Sequence, residues 1–452
     1  MSERDRFYQE RDRRTREYGV QDAAFERPVA VVVGEDTAET ERGQLLLLSL
    51  VHLIARMHHR LVLVVPRSPL IARRALGPVQ TGASATLEEA ATAVATAVDP
   101  FIQVRHKLSG DVKAAIGIGT LPEGKVPWHV GPHNNRAIVS PDPVQPDRTL
   151  GFALGPCLAA CLGAWLLFRL ALGWPVQPQT ISAWNLRQND QAEAGPEVLE
   201  PLDVGRVLMV GAGAVGSCLA YWLRLSGVRG PWLVADRDTV ALHNTNRSLA
   251  FLPADAGWPA GQSRAKALAV ADLFGAQSRV AWYDELKGAD RDADLVLCLA
   301  NQGGVRSRIG QRGEPIVLHA TTSRGFESQL HRHIPERDDC IFCRVPSADA
   351  EVNLECSTVP LKDAGSSTDA AISFLSASAG LMLLSALYRL AAGELEHEKW
   401  NWWRLVYGST VPLALTGKRK CAADCPGTLP AEARKTIQVD HRWSHLDAAT
   451  GG

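Results

Sequence analysis

The chain of 452 residues carries 48 Lys and Arg against 49 Asp and Glu, a formal net charge of -1, with 46% hydrophobic residues and nine cysteines. That length predicts two large domains or three small ones, and the composition excludes disorder as the overall state. A near-neutral chain lacks the basic excess that a dedicated nucleic-acid binder exploits, so no nucleic-acid partner is expected.

The opening residues, MSERDRFYQERDRRTREYG, are charged throughout and hold no apolar signal-peptide region. This predicts a cytoplasmic protein, in which thiols stay reduced and serve metals or chemistry more often than disulfides. From Pro28 to Pro66 the pattern reads strand, helix, strand: VAVVVG, then ERGQLLLLSLVHLIARM with helical apolar spacing, then RLVLVV. A helix, TLEEAATAVATAV, follows, with short strands around IQVRH and AAIGIG. This unit closes on an apolar run that starts at Leu150, passes Phe168 and ends at Gly173. Its uncharged part, Leu150 to Phe168, just reaches the length of a membrane span. Pro156, Arg169 and the many Gly and Ala residues fit a packed internal helix better, so no membrane association is expected.

Residues 176–203 are rich in Pro, Gln and charge and read as a linker. A second α/β unit opens with VGRVLMVGAGAVGSCLAYWLRLSG, runs through WLVAD, GQSRAKALAVADLF and DADLVLCLA, and closes on AAISFLSASAGLMLLSALYRLAAG. The two closing helices share a detail, Phe168-Arg169-Leu170-Ala171-Leu172-Gly173 against Tyr388-Arg389-Leu390-Ala391-Ala392-Gly393, which predicts a diverged internal duplication. The expected organisation is a lobe at 1–175, the linker at 176–203, a lobe at 204–425 and a tail at 426–452.

Chemistry concentrates in the second lobe. Gly211-Ala212-Gly213-Ala214-Val215-Gly216 follows an apolar strand and opens a helix, where glycines permit a tight turn and a close approach to phosphate, and the helix start offers unpaired N–H groups. Asp236 ends the next strand, placed to accept hydrogen bonds from ribose hydroxyls. The motif by itself serves NAD, FAD and ATP alike. In the first lobe the corresponding stretch is VVVGEDTAETERG, where Glu35 and Asp36 repel phosphate, so that lobe is expected to bind no nucleotide.

Downstream, Asp236-Arg237-Asp238-Thr239-Val240 leads to Asn244-Thr245-Asn246-Arg247 and then Gly261-Gln262-Ser263-Arg264-Ala265-Lys266. Here the chain resembles the ubiquitin-activating-enzyme family and its bacterial ThiF- and MoeB-type adenylyltransferases, over about Gly205 to Cys425. The resemblance implies two Rossmann-like α/β lobes, a degenerate N-terminal one and a nucleotide-binding C-terminal one, with ATP and Mg2+ as cofactors. It further implies that Gly211, Gly213, Gly216, Asp236 and Asp238 hold the nucleotide, while Asn244, Arg247 and a cation at Arg264 or Lys266 meet the phosphates. Adenylation needs such positioning and charge neutralisation more than a covalent catalyst. Three departures stand out: His243 replaces a serine, Ser248 replaces a glutamine, and Asn301 falls where the family carries the aspartate that holds Mg2+. An amide oxygen can ligate Mg2+ but brings no charge.

Cys340-Ile341-Phe342-Cys343 and Cys421-Ala422-Ala423-Asp424-Cys425 are close pairs with zinc-ligand spacing, and they resemble the structural four-cysteine Zn2+ site of bacterial family members. Cys157, Cys161, Cys218 and Cys298 read as small core residues. Cys356 remains, in a polar stretch at 344–366 that corresponds to the family's crossover loop, where a cysteine forms a thioester or persulfide with the activated carrier. The resemblance also implies that an N-terminal arginine, Arg13, Arg14 or Arg16, can reach the nucleotide of the other lobe.

The expected function is ATP-dependent adenylation of the C-terminal glycine of a ubiquitin-like protein, thioester formation on Cys356, and transfer to a conjugating enzyme or a sulfur-transfer partner. The two-lobed build points to a bacterial conjugation pathway, with antiphage defence as its setting, and a homodimer is an open assembly. Three alternatives stay beside it: a sulfur-carrier or peptide-modifying adenylyltransferase, an NAD-linked dehydrogenase, and a non-catalytic scaffold with a decayed site.

Overall fold

A computed structural model describes residues 1–16, 20, 22–122, 125–300, 303–323, 326–334, 338–340, 372–394, 400–407, 416–417 and 421. The chain begins with three short helices, α1 (Glu3–Arg11), α2 (Arg13–Arg16) and α3 (Asp22–Phe25). The first α/β unit follows: β1 (Val29–Val33), α4 (Glu35–Ala38), α5 (Glu41–Ile54), β2 (Arg60–Val64), α6 (Leu87–Val98), β3 (Gln103–Arg105), β4 (Ala114–Ile118), β5 (Trp128–His133), β6 (Arg136–Ser140), α7 (Gly155–Leu172) and β7 (Gln179–Ser182). Every residue of β1 is buried, as a central parallel strand covered on both faces requires. Thr40 caps α5 by accepting from the Gly43 amide, and Thr86 with Glu89 forms a capping box on α6, so both helices start where their sequences place a hydroxyl before the apolar run.

The second unit comprises β8 (Leu202–Asp203), β9 (Val207–Val210), α8 (Ala214–Leu225), β10 (Val228–Arg229), β11 (Trp232–Ala235), α9 (Lys266–Phe274), β12 (Gln277–Arg279), β13 (Leu295–Cys298), α10 (Gly303–Arg312), β14 (Val317–Ser323), β15 (Glu327–His333), α11 (Ser373–Ala391), β16 (Trp400–Val406) and β17 (Thr416–Gly417). The strand orders are β3-β2-β1-β4-β5-β6-β7 and β12-β11-β9-β13-β14-β15-β16-β17. In both sheets the first five strands are parallel and the rest antiparallel. The same mixed topology therefore occurs twice, as the matched helix endings predict. Gly173 after α7 and Gly393 after α11 both have positive φ, near 73° and 74°, which ends each helix at the same kind of left-handed turn.

The stretch 176–203, read from sequence as linker, contains β7, which completes the first sheet by pairing with β6, and it buries Trp184 and Leu186. Asn135 anchors it by donating to the carbonyls of Ala194 and Pro196.

One apolar core runs through both lobes. Tyr221 of α8 donates to the Ala75 carbonyl at 2.7 Å and pairs with Ser49 of α5, while Trp222 donates to Ala377 of α11. Helices α8 and α11 approach so closely at Gly380 that a β-carbon there would lie 2.7 Å from the Leu219 amide nitrogen. Helices α7 and α11 are each long and apolar enough to cross a membrane, yet 83% and 94% of their apolar windows are buried within the molecule. Both serve as core helices of the two lobes. Four cysteines, Cys157, Cys161, Cys218 and Cys298, are buried among these elements, and burial pushes the thiols of Cys161 and Cys218 up to about 12 and that of Cys298 to about 11. Thiolate formation there is suppressed, which suits core packing and not nucleophilic work.

Candidate functional site

In an open α/β sheet the ligand crevice lies at the strands' C-terminal ends where the winding reverses. Here that point is between β9 and β13, and a cavity of about 320 Å3 opens at it. The three glycines after β9 do different work. Gly211 has φ near 104° and lies against the chain leaving β13, where a β-carbon would stand 2.7 Å from the Ala300 amide nitrogen. Gly213 caps α8 and borders the cavity, with nothing within 4 Å of an added β-carbon. Gly216 packs on the Gly211 carbonyl, which closes helix onto loop. The start of α8, with its unpaired amides and positive dipole end, thus faces the cavity.

Asp236 stands at the end of β11 and borders the same cavity. Its Oδ2 accepts from the Ala212 amide at 2.7 Å and its Oδ1 from the Asp238 amide at 2.8 Å, leaving further lone pairs for ribose hydroxyls. Burial pushes this carboxyl up, opposed by Lys266 and the two amides. Lys266 opens α9 and its Nζ pairs with Asp238 at 2.8 Å at the cavity wall. Arg264 is exposed, pairs with Asp255 and Asp272, and is not among the cavity's lining residues. Of the two candidate cations, the fold brings Lys266 to the cavity.

Asn244 and Arg247 also line the cavity. Asn244 accepts from the Ala241 amide and so caps its own turn, while the Arg247 guanidinium donates to the His243 carbonyl at 2.7 Å and to Asn246. The first lobe grips this loop from behind. Arg56, fully buried after α5, donates to the carbonyls of Thr245, Leu249 and Phe251, and Thr15 of α2 accepts from Asn246. Burial lowers the Arg56 pKa to about 10.

The three N-terminal arginines separate. Arg14 lines the cavity, Arg13 reaches His243, and Arg16 turns back to Asp22 and the carbonyls of Tyr8 and Gln9. In the first lobe, the carboxylate of Asp36 accepts from the Thr120 amide beyond β4, so an acidic side chain stands after β1 where the second lobe has its glycine loop after β9.

Trp282 and Tyr283, which the sequence reading passed over, form a wall of the cavity, and the Arg237 guanidinium lies 5.9 Å from the Trp282 ring centre. The signal available was position: they follow β12, the third parallel strand to end at the crevice.

Asn301, Cys343, Cys356 and Cys425 lie outside the described residues. Cys340 and Cys421 are described and adjacent, the Cys340 amide donating to Cys421 Sγ at 3.1 Å. Among the described residues no three His, Cys, Asp or Glu side chains form a metal-binding group.

The ThiF family model matches residues 186–405. Among solved structures, E. coli MccB with AMPCPP and selenomethionine MccA is 10% identical, over 66% of this chain and 96% of that one, at a TM-score of 0.37. E. coli MccB with selenomethionine MccA is 12% identical, over 67% and 98%, at 0.38. Selenomethionine PaaA is 14% identical, over 48% and 65%, at 0.34. The glycine loop, Asp236, Asn244, Arg247 and Lys266 all fall inside the matched span, so the candidate site lies in the part of the chain, residues 186–405, that matches the ThiF family.

Proposed function

We propose that this protein uses ATP to adenylate the C-terminal carboxylate of a polypeptide, with a ubiquitin-like protein as substrate and Cys356 as the next acceptor. One observation carries the reading: a single cavity joins a carboxylate suited to ribose, Asp236, with a helix N-terminus and three cations, Arg14, Arg247 and Lys266. A dinucleotide's pyrophosphate is met by the helix end alone, whereas a triphosphate that passes through a charged transition state calls for additional cations.

In the first step a substrate carboxylate oxygen attacks the α-phosphorus, the bond to the bridging oxygen breaks, and pyrophosphate leaves. Arg247, Lys266 and Arg14 offset the charge on the phosphates, while Asp236 fixes the ribose and Gly213 lets the backbone approach. In the second step the Cys356 thiolate attacks the acyl carbonyl, a thioester forms and AMP leaves. The acyl group then passes to a conjugating enzyme or a sulfur-transfer partner. Mg2+, when bound, would neutralise the phosphates further. Of the two carboxylates at the cavity wall, Asp236 and Asp238, the more exposed Asp238, paired here with Lys266, would hold it, with Asn301 to add an amide oxygen.

ATP–pyrophosphate exchange, measured with ubiquitin-like proteins encoded beside this gene, tests the first step, and its absence across that set overturns adenylation. Cys356→Ala should leave exchange intact and remove a thiol-labile adduct. An adduct that survives the substitution moves the acceptor elsewhere, and its mass distinguishes a protein substrate from a sulfur-carrier or peptide substrate.

A structural Zn2+ held by Cys340, Cys343, Cys421 and Cys425 is part of the same proposal. Its support is the meeting of Cys340 and Cys421 across 81 positions of sequence, with an amide directed at sulfur as thiolate ligands accept it. Elemental analysis should find about one zinc per chain, lost in Cys340→Ser. Folded protein free of zinc overturns the site.

A further inference from the structure

His243 occupies the position of the serine in the motif that the chain resembles, and it lines the nucleotide cavity beside Asn244, Arg247 and Lys266. Arg13 Nη2 lies 3.3 Å from its Nδ1. A guanidinium donates and never accepts, so Nδ1 must carry the lone pair and the ring proton must sit on Nε2. The surroundings agree with a neutral ring: burial first, then the cations Arg247, Arg13, Arg14 and Lys266, push the imidazole pKa down to about 3. The His243 backbone is held as well, since its carbonyl accepts from Arg247 at 2.7 Å. With one edge taken by Arg13, the ring has a single N–H to offer a ligand, in a cavity whose other polar walls are the cations Arg14, Arg247 and Lys266, the amide of Asn244 and the carboxylates of Asp236 and Asp238.

We propose that His243, set in place by Arg13, is a further ligand of the nucleotide's phosphates, donating from Nε2–H. The assignment rests on the nucleotide reading of the cavity and deepens it. A serine hydroxyl can rotate and both donate and accept, whereas this imidazole is pinned and donates only. It adds a directed donor to the phosphate end without adding charge to a region that already gathers four cations. It also gives the first lobe a second hold on the nucleotide, Arg14 directly and Arg13 through the histidine.

The test compares ATP with adenosine as ligands of the full chain by isothermal titration calorimetry. His243→Leu should raise the ATP dissociation constant about tenfold, the loss of one hydrogen bond to a charged group, and leave adenosine unchanged. His243→Gln, whose amide N–H can stand in for Nε2–H, should recover most of that loss. Arg13→Leu should weaken ATP about threefold and adenosine not at all. Equal losses for ATP and adenosine, an ATP affinity unchanged in His243→Leu, or a glutamine variant no better than leucine overturns the assignment. Wild-type chain that binds neither ligand overturns the nucleotide reading together with it, whereas ATP binding as tight in His243→Leu as in the wild type overturns this assignment alone.

Discussion

Arg247→Ala is expected to lower ATP–pyrophosphate exchange by about 10²–10³-fold, the effect of removing one preorganised donor from a developing anion. The side chain is half-buried at the cavity wall and its guanidinium is already aimed by two bonds, to the His243 carbonyl and to Asn246. That aiming is why the loss should exceed what a mobile surface arginine would show: the donor needs no reorganisation when charge develops. The backbone of the loop is secured separately, by Arg56 bonding to the carbonyls of Thr245, Leu249 and Phe251, so the variant should fold with a melting temperature close to that of the parent. Arg247→Lys should retain part of the activity, because it keeps the charge but loses the planar fork. Initial exchange rates at saturating ATP, compared with rates at low ATP, decide the matter. A variant within threefold of the parent in both removes Arg247 from the phosphate contacts.

Arg11→Leu should cost about 3–5 kcal/mol of stability, as breaking a buried ion pair from one side does. Arg11 is wholly buried, bonds Asp12 through Nε and Nη2, and reaches Asp99 through Nη1 at 2.6 Å. His59 bridges Asp12 at 2.8 Å and Glu26 at 3.0 Å. Burial works against the charge on Asp12, yet Arg11 and His59 together hold its carboxyl below the ordinary range. Asp99 is pushed up by burial, with Arg11 opposing. Without Arg11 both carboxyls lose their main counter-charge inside the protein. Arg11→Lys keeps the charge and should cost less. Because Arg13 and Arg14 follow directly on this anchor, nucleotide affinity should fall along with stability in Arg11→Leu. Urea midpoints supply the measurement, and a loss under about 1 kcal/mol shows that the network adds little.

What could be read from the sequence shares one property: its parts lie close together in the chain. Gly211 through Gly216, Asp236, and the run from Asn244 to Arg247 belong to one strand-helix-strand unit and the loop after it, where backbone geometry follows from neighbouring residues. The burial of α7 was legible for the same reason, since Pro156 and Arg169 bracket it locally. By contrast, Arg264 and Lys266 are two positions apart and chemically alike. Only the start of α9, fixed by the Lys266 amide bonding to the Asp238 carbonyl, decides which of them faces the cavity. The short strand β7 carries little pattern of its own and becomes a strand through its pairing with β6.

The sequence by itself therefore determined the elements of the candidate site: a glycine loop at a helix start, the carboxylate of Asp236 at the end of the next strand, the nearby cations, and acidic Glu35 and Asp36 in place of the glycine loop in the first lobe. Tertiary structure alone decided that Arg14 enters the cavity while Arg13 holds His243 and Arg16 turns away, that Arg56 braces the loop, that Trp282 and Tyr283 form a wall, and that Cys340 meets Cys421. The physical reason is range. Local chemistry sets each turn and helix start, but contacts between residues hundreds of positions apart depend on how two lobes with one shared core are packed.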